Sequence, residues 1–132
     1  MKAILADVGP LYALVDPGDA LHVRARSEAK RLADDGLRVL IGQPTLCEAH
    51  ALVLRRLGLE ASRSWLGEVS AGCGLINPAR IHYEAAARRL AAFPDQPITM
   101  FDAVLAELAE HLGLSVWTYD HHFDVMGAVV WR

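Results

Sequence analysis

Short apolar runs and longer amphipathic stretches take turns along this chain, and their order predicts its elements. Residues Ala3–Ala6 are continuously apolar and give way to Asp7, Gly9 and Pro10, the pattern of a buried strand stopped by a turn. Pro10 suits the first turn of a following helix. Over residues 19–33, Leu21, Ala25, Ala29 and Leu32 return at helical spacing with Arg24, Arg26, Lys30 and Arg31 between them. An amphipathic surface helix closed by Gly36 is predicted there. Residues 38–41 read as a second strand, and residues 45–57 as a helix with Leu46, Ala49, Val53 and Leu57 on one face, ended by Gly58. Residues 60–70 read as a helix with Trp65, Leu66 and Val69 inward, and residues 74–77 as a short third strand before Pro78. Residues 81–93 form an Ala- and Arg-rich helix stopped by Pro94, and residues 101–112 another that buries Val104, Leu105, Leu108 and Leu112. A strand over residues 116–119 ends at Asp120, a polar cluster spans residues 121–124, and residues 129–131 read as a last strand. Short apolar strands alternating with helices imply an α/β protein with a mostly parallel sheet covered on both faces.

Composition adds bounds. The chain has 132 residues, 53% of them hydrophobic, enough for one well-packed core, so one domain over residues 1–132 is expected. Charges of both signs are mixed and the formal net charge is -3, so no basic surface advertises a nucleic-acid partner. Cys47 and Cys73 have no CxxC or Cys/His zinc spacing and read as free thiols of a reducing cytoplasm. The apolar start is cut by Asp7, too short for a signal segment or a membrane span, so a soluble, cytoplasmic protein without a membrane partner is expected.

In an open parallel sheet, ligands collect outside the carboxyl ends of the strands. Asp7 and Asp120 stand at strand ends, and Glu48 and Asp102 fall in the first turns of helices that start from the same edge. Four carboxylates converging on one rim repel unless some are protonated or a cation sits among them. Oxygen-only ligands favour a hard ion, Mg²⁺ or Mn²⁺, over zinc, and such an ion suits metal-assisted hydrolysis of a phosphodiester. Each residue also has a structural reading. Thr45 with Glu48, and Thr99 with Asp102, fit capping boxes, while Asp7 and Asp120 fit turns. His121 and His122 read as an exposed turn, with metal ligation by His122 as the alternative, and His111 as a favourable charge at a helix C-terminus. Arg55, Arg56, Arg88 and Arg89 read as solvated helix faces that could also track phosphates, and Trp65 and Tyr83 as core residues that could also stack bases.

With these residues placed, the chain resembles a known family. ILADVGPLYALVD, residues 4–16, resembles the opening of PIN-domain proteins; PTLCEAHALVLRR, residues 44–56, is similar to the helix carrying their Glu, here Glu48. ITMFDAVLAELAEHLGLSVWTYDHHF, residues 98–123, is similar to their last two acidic motifs, with Asp102 and Asp120. The resemblance spans the chain and implies a three-layer α/β/α sandwich around a short, mostly parallel sheet. It also implies a Mg²⁺- or Mn²⁺-dependent endoribonuclease of the VapC type, in which Asp7, Glu48, Asp102 and Asp120 hold the metal and act on RNA. Members of this size are usually toxins paired with a small antitoxin, and many are homodimers. Two positions depart from the pattern: Val8 stands where relatives often carry Thr or Ser, and His122 and Phe123 stand where a further acid often follows, with Asp124 as its nearest substitute. A catalytically weakened PIN-fold binding module is therefore the alternative. A response-regulator-like phosphoacceptor would need an early acidic pair and a late Lys, and the lysines are Lys2 and Lys30.

Overall fold

Every residue of the first strand is buried, which is why its apolar run is unbroken rather than alternating. The computed structural model describes residues 2–132, and the strands within it are β1 (Ala3–Ala6), β2 (Arg38–Gly42), β3 (Gly74–Ile76) and β4 (Val116–Trp117). The helices are α1 (Val8–Val15), α2 (His22–Asp34), α3 (Gln43–Leu57), α4 (Leu59–Gly72), α5 (Arg80–Ala91), α6 (Met100–Leu112) and α7 (His122–Val125). The sheet runs β3-β2-β1-β4, all parallel, with Leu5 beside Leu40 on one side and beside Val116 on the other.

Alternation within the strands sorts the core into two layers. Ala3, Leu5, Leu40 and Val116 pack with α5, α6 and Phe123 of α7; Ile4, Ala6, Ile41 and Trp117 pack with α1, α2, α3 and α4. This is the expected α/β/α sandwich. Parallel neighbours need crossovers, and the helices supply them while covering both faces.

Several expectations shift on inspection. The last strand, residues 129–131, is only an isolated bridge from Val130 to Val116, because β4 itself is two residues long and offers no more to pair with. Beyond Trp117 the chain turns away as the Asp120 backbone N–H bonds to Thr118 Oγ1 at 3.0 Å. Of the pair read as an exposed turn, His121 is exposed, but His122 begins α7, whose Phe123 is fully buried. Leu66, Tyr83 and Leu112 are exposed rather than core, whereas Trp65 is buried as expected. Pro10 sits third in α1, where a helix N–H has no partner to lose. No helix of the described residues is long and apolar enough to cross a membrane.

Arg89 is the main correction among the helix-face arginines. Its side chain is 16% exposed, with Nε donating to Glu107 Oε1 at 2.6 Å and Nη1 to the Met126 carbonyl at 2.9 Å, and with Nη2 bonded to Glu110. It clamps α5 to α6 and to the end of α7, while Arg88 beside it is exposed. Arg89→Ala should lower unfolding free energy by about 2 kcal/mol, because it leaves Glu107 half-buried without its partner. Arg88→Ala should stay within about 0.5 kcal/mol of the wild type. Urea denaturation of both variants checks the difference.

Candidate functional site

All four predicted carboxylates come together. Asp7 directly follows β1, Asp120 lies three residues past β4, Glu48 is the sixth residue of α3 and Asp102 the third of α6. They line one cleft of about 470 Å³ at the carboxyl edge of the sheet, with Val8, Gly9, Thr99, Tyr119 and His121 as the remaining wall. No lysine or arginine is among the lining residues.

Asp7 is 5% exposed, and its Oδ2 accepts a 2.8 Å bond from the Thr118 hydroxyl. Burial pushes its carboxyl up from 3.8 to about 7; bonds from Thr118 and the Val8 backbone oppose this, and the charges of Asp102 and Glu48 add to it. Burial also raises Glu48, with the Asp102 charge adding. Asp102 is raised by burial and by Asp120, against bonds from Thr99 and the charge of His122. Three of the four carboxyls thus sit where negative charge is under-compensated. Such a set fits a divalent cation: the four carboxylates offer hard oxygen donors, with His121 the one imidazole in the wall, and no lysine or arginine among the lining residues takes the cation's place.

The capping alternatives separate. α3 begins at Gln43, so Glu48 lies in its second turn rather than its first, and Thr45 is buried inside the helix without a side-chain cap bond. Glu48 is therefore not a cap. Thr99 does cap α6, its hydroxyl accepting from the Asp102 N–H at 3.2 Å, yet the Asp102 carboxyl still lines the cleft. Capping and facing the cleft coexist there.

Sequence reasoning missed the supports of this cleft. The buried Thr118 hydroxyl donates to Asp7 and accepts from the Asp120 N–H, tying two of the carboxylates together and supplying a hydroxyl that Val8 lacks. A Thr two residues before an Asp signals a turn, but nothing local points to Asp7. His122 is not an exposed turn residue: its side chain is 14% exposed, with Nδ1 2.9 Å from Asp120 Oδ1. Glu28 accepts from Tyr119 OH at 2.5 Å and Trp117 Nε1 at 3.2 Å, and Arg24 lies over the Tyr119 ring, so α2 holds the Tyr119 wall in place. That ring packs so near Gly9 that a Cβ there would be 3.4 Å from Tyr119 Cδ2. Asp124, the nearest substitute for a further acid, pairs with Arg132 at 2.8 Å and does not line the cleft.

The family model for the PIN domain matches residues 4–129. Among solved structures, VapC20 of Mycobacterium tuberculosis, described as a Sarcin-Ricin loop cleaving toxin, is 23% identical with a TM-score of 0.84 over 98% of each chain. VapBC2 from Rickettsia felis, bound to a DNA fragment from its promoter, is 13% identical with a TM-score of 0.77, covering 99% of this chain and 98% of that one. VapBC-1 from nontypeable Haemophilus influenzae is 18% identical with a TM-score of 0.74, covering 99% and 97%. These likenesses establish the fold. No curated protein sequence matches the chain.

The Asp7 shift carries a pH signature. A carboxyl raised from 3.8 to about 7 binds its proton more tightly folded than unfolded, so its ionisation lowers stability as pH rises across that interval. The loss is complete above the folded value. In chelator, Asp7→Asn should match the wild type near the lower bound and become the more stable protein above the upper one. The gain should be about 4 kcal/mol at most. Thermal melts of the pair across this range check it, and a gap that does not widen with pH contradicts it.

Proposed function

Because the chain belongs to the PIN-domain family, we infer that it is a Mg²⁺- or Mn²⁺-dependent endoribonuclease, acting as one domain and as the toxin of a toxin–antitoxin pair. The observation that carries this reading is the convergence of Asp7, Glu48, Asp102 and Asp120 on one cleft with no lysine or arginine among its lining residues. These four would hold the ion. When bound, the ion supplies positive charge and Lewis acidity to a phosphodiester. The chain's own contributions are positional. Thr118 fixes Asp7 Oδ2, Thr99 fixes the turn that presents Asp102, and Tyr119, anchored on Glu28, walls the cleft against Gly9. Asp7 must give up its proton for the site to fill, so cation uptake and proton release are coupled near neutral pH.

Two surfaces support the partners. A groove of about 410 Å³ between α1, α2 and α4, floored by Leu32, Trp65 and Trp117, suits an apolar segment of a small antitoxin. Beside the cleft, Tyr83, Met100 and Phe101 are exposed with Cys47 and Pro44 around a second apolar hollow, a surface a second copy of the chain would cover in a homodimer. Similarity to a toxin that cleaves the sarcin-ricin loop supports structured RNA as the substrate.

Asp102→Asn tests the nuclease reading. The Thr99 cap uses the Asp102 backbone N–H, which the variant keeps, so stability of the metal-free protein should hold or rise as repulsion is relieved. Cleavage of structured RNA should fall by roughly a hundredfold or more, because several kcal/mol of transition-state stabilisation pass through the ion. Chelator should abolish cleavage in the wild type and added Mn²⁺ restore it. A variant that cuts like the wild type removes Asp102 from the site; a wild type inert on every RNA leaves a PIN-fold binding module.

Mn²⁺ or Mg²⁺ should also raise the melting temperature of the wild type, because an ion that binds only the folded chain stabilises it by mass action. The Asp7→Asn/Asp120→Asn double variant should show no such rise, and an equal rise in both proteins contradicts the site.

A further inference from the structure

Asp120 is held differently from the other three carboxylates. Its Oδ1 accepts the His122 backbone N–H at 2.9 Å and also lies 2.9 Å from His122 Nδ1. Among the described residues, no hydrogen bond or ion pair is made to its Oδ2. Its own N–H is fixed by the Thr118 hydroxyl, which in turn holds Asp7. The imidazole doing this is not free to wander: its side chain is largely buried, its ring lies against His121 with centroids 4.3 Å apart, and the next residue, Phe123, is locked in the core. His121 lines the cleft but His122 does not. His122 therefore stands behind Asp120 rather than among the groups that face the opening.

We propose that His122 is a positioning residue of the cleft, engaging Asp120 Oδ1 through both its ring and its backbone so that Oδ2 alone is left for a divalent cation. This rests on the nuclease reading above and adds to it how one ligand is aimed. A backbone hydrogen bond and an imidazole nitrogen 2.9 Å away on the same oxygen restrict a carboxylate's orientation more than a single bond does, and partners standing behind metal ligands set both ligand geometry and affinity. A further acid at this position would add repulsion to a cleft already short of positive charge. An imidazole adds none, and its charge already opposes the rise of the Asp102 carboxyl.

The test is calorimetric titration of Mn²⁺ into the full chain, stripped with chelator, for wild type, His122→Asn and His122→Gln. Asn places its amide nitrogen close to where Nδ1 stands, whereas Gln places it nearer the position of Nε2. A positioning role predicts that His122→Gln loses roughly 10–100-fold in Mn²⁺ affinity and that His122→Asn stays within about threefold of the wild type. The metal-free melting temperatures of both should remain close to that of the wild type. Pulsed electron paramagnetic resonance of the Mn²⁺-loaded wild type should show no imidazole nitrogen coupling from position 122. Equal losses in both variants together with such a coupling would make His122 a direct ligand and overturn the proposal; so would wild-type affinity in both variants. A wild type that takes up no Mn²⁺ would overturn the nuclease reading, and the role of His122 would fall with it.

Discussion

Asp7 leaves the central strand with its carboxyl almost fully buried, and the side chain that holds it is a hydroxyl from the far end of the chain. The rest of the cleft follows from how that hydroxyl gets there. In the register of β1 against β4, Leu5 lies beside Val116 and Ala6 beside Trp117, so the next pair along is Asp7 and Thr118. A slip of one residue would turn Thr118 to the opposite face of the sheet, leaving a buried carboxyl with no side-chain donor and Asp120 without its anchor. Sheet register and site geometry are one constraint here. The two-layer core enforces it, since Val116 and Trp117 each fill the opposite side of the sheet.

Charge is sorted in space rather than in sequence. The net charge of -3 describes a chain of mixed sign, yet the cleft is lined by four acids with no Lys or Arg in its wall. Several arginines are engaged with other groups: Arg89 joins Glu107 and Glu110 across α5 and α6, Arg24 lies over the ring of Tyr119, and Arg31 lies over Trp131. Overall composition therefore understates how strongly one small region favours a cation.

Periodicity made the elements legible because nearly all of them carry a complete local signature. β1 is a continuous apolar run, α3 buries Leu46, Ala49 and Val53 at helical spacing, α2 buries Ala25 and Leu32 two turns apart, and α6 is apolar and buried along most of its length. Placing each acid at an element end was then enough to predict the convergence of Asp7, Glu48, Asp102 and Asp120. What escaped was whatever depends on a partner distant in the chain. Thr118 and Asp7 are 111 residues apart, Glu28 and Tyr119 are 91 apart, and Arg89 and Met126 are 37 apart. Nothing near Thr118, Glu28 or Arg89 marks the distant partner. Glu48 was misplaced by a different cause: Thr45 looked like a helix start, but the helix already begins at Gln43 with Pro44 in its first turn.

The strand order has a consequence for when this protein becomes whole. β1 is flanked by β2, which follows it soon in the chain, and by β4, which comes near the end. A chain emerging from the ribosome can pair β1 with β2 early, but it cannot seat Thr118 against Asp7 or bring Asp120 to the rim until β4 has docked. The half of the cleft built from residues beyond position 115 is thus the last to assemble. A chain that has not yet reached Asp120 carries at most three of the four carboxylates.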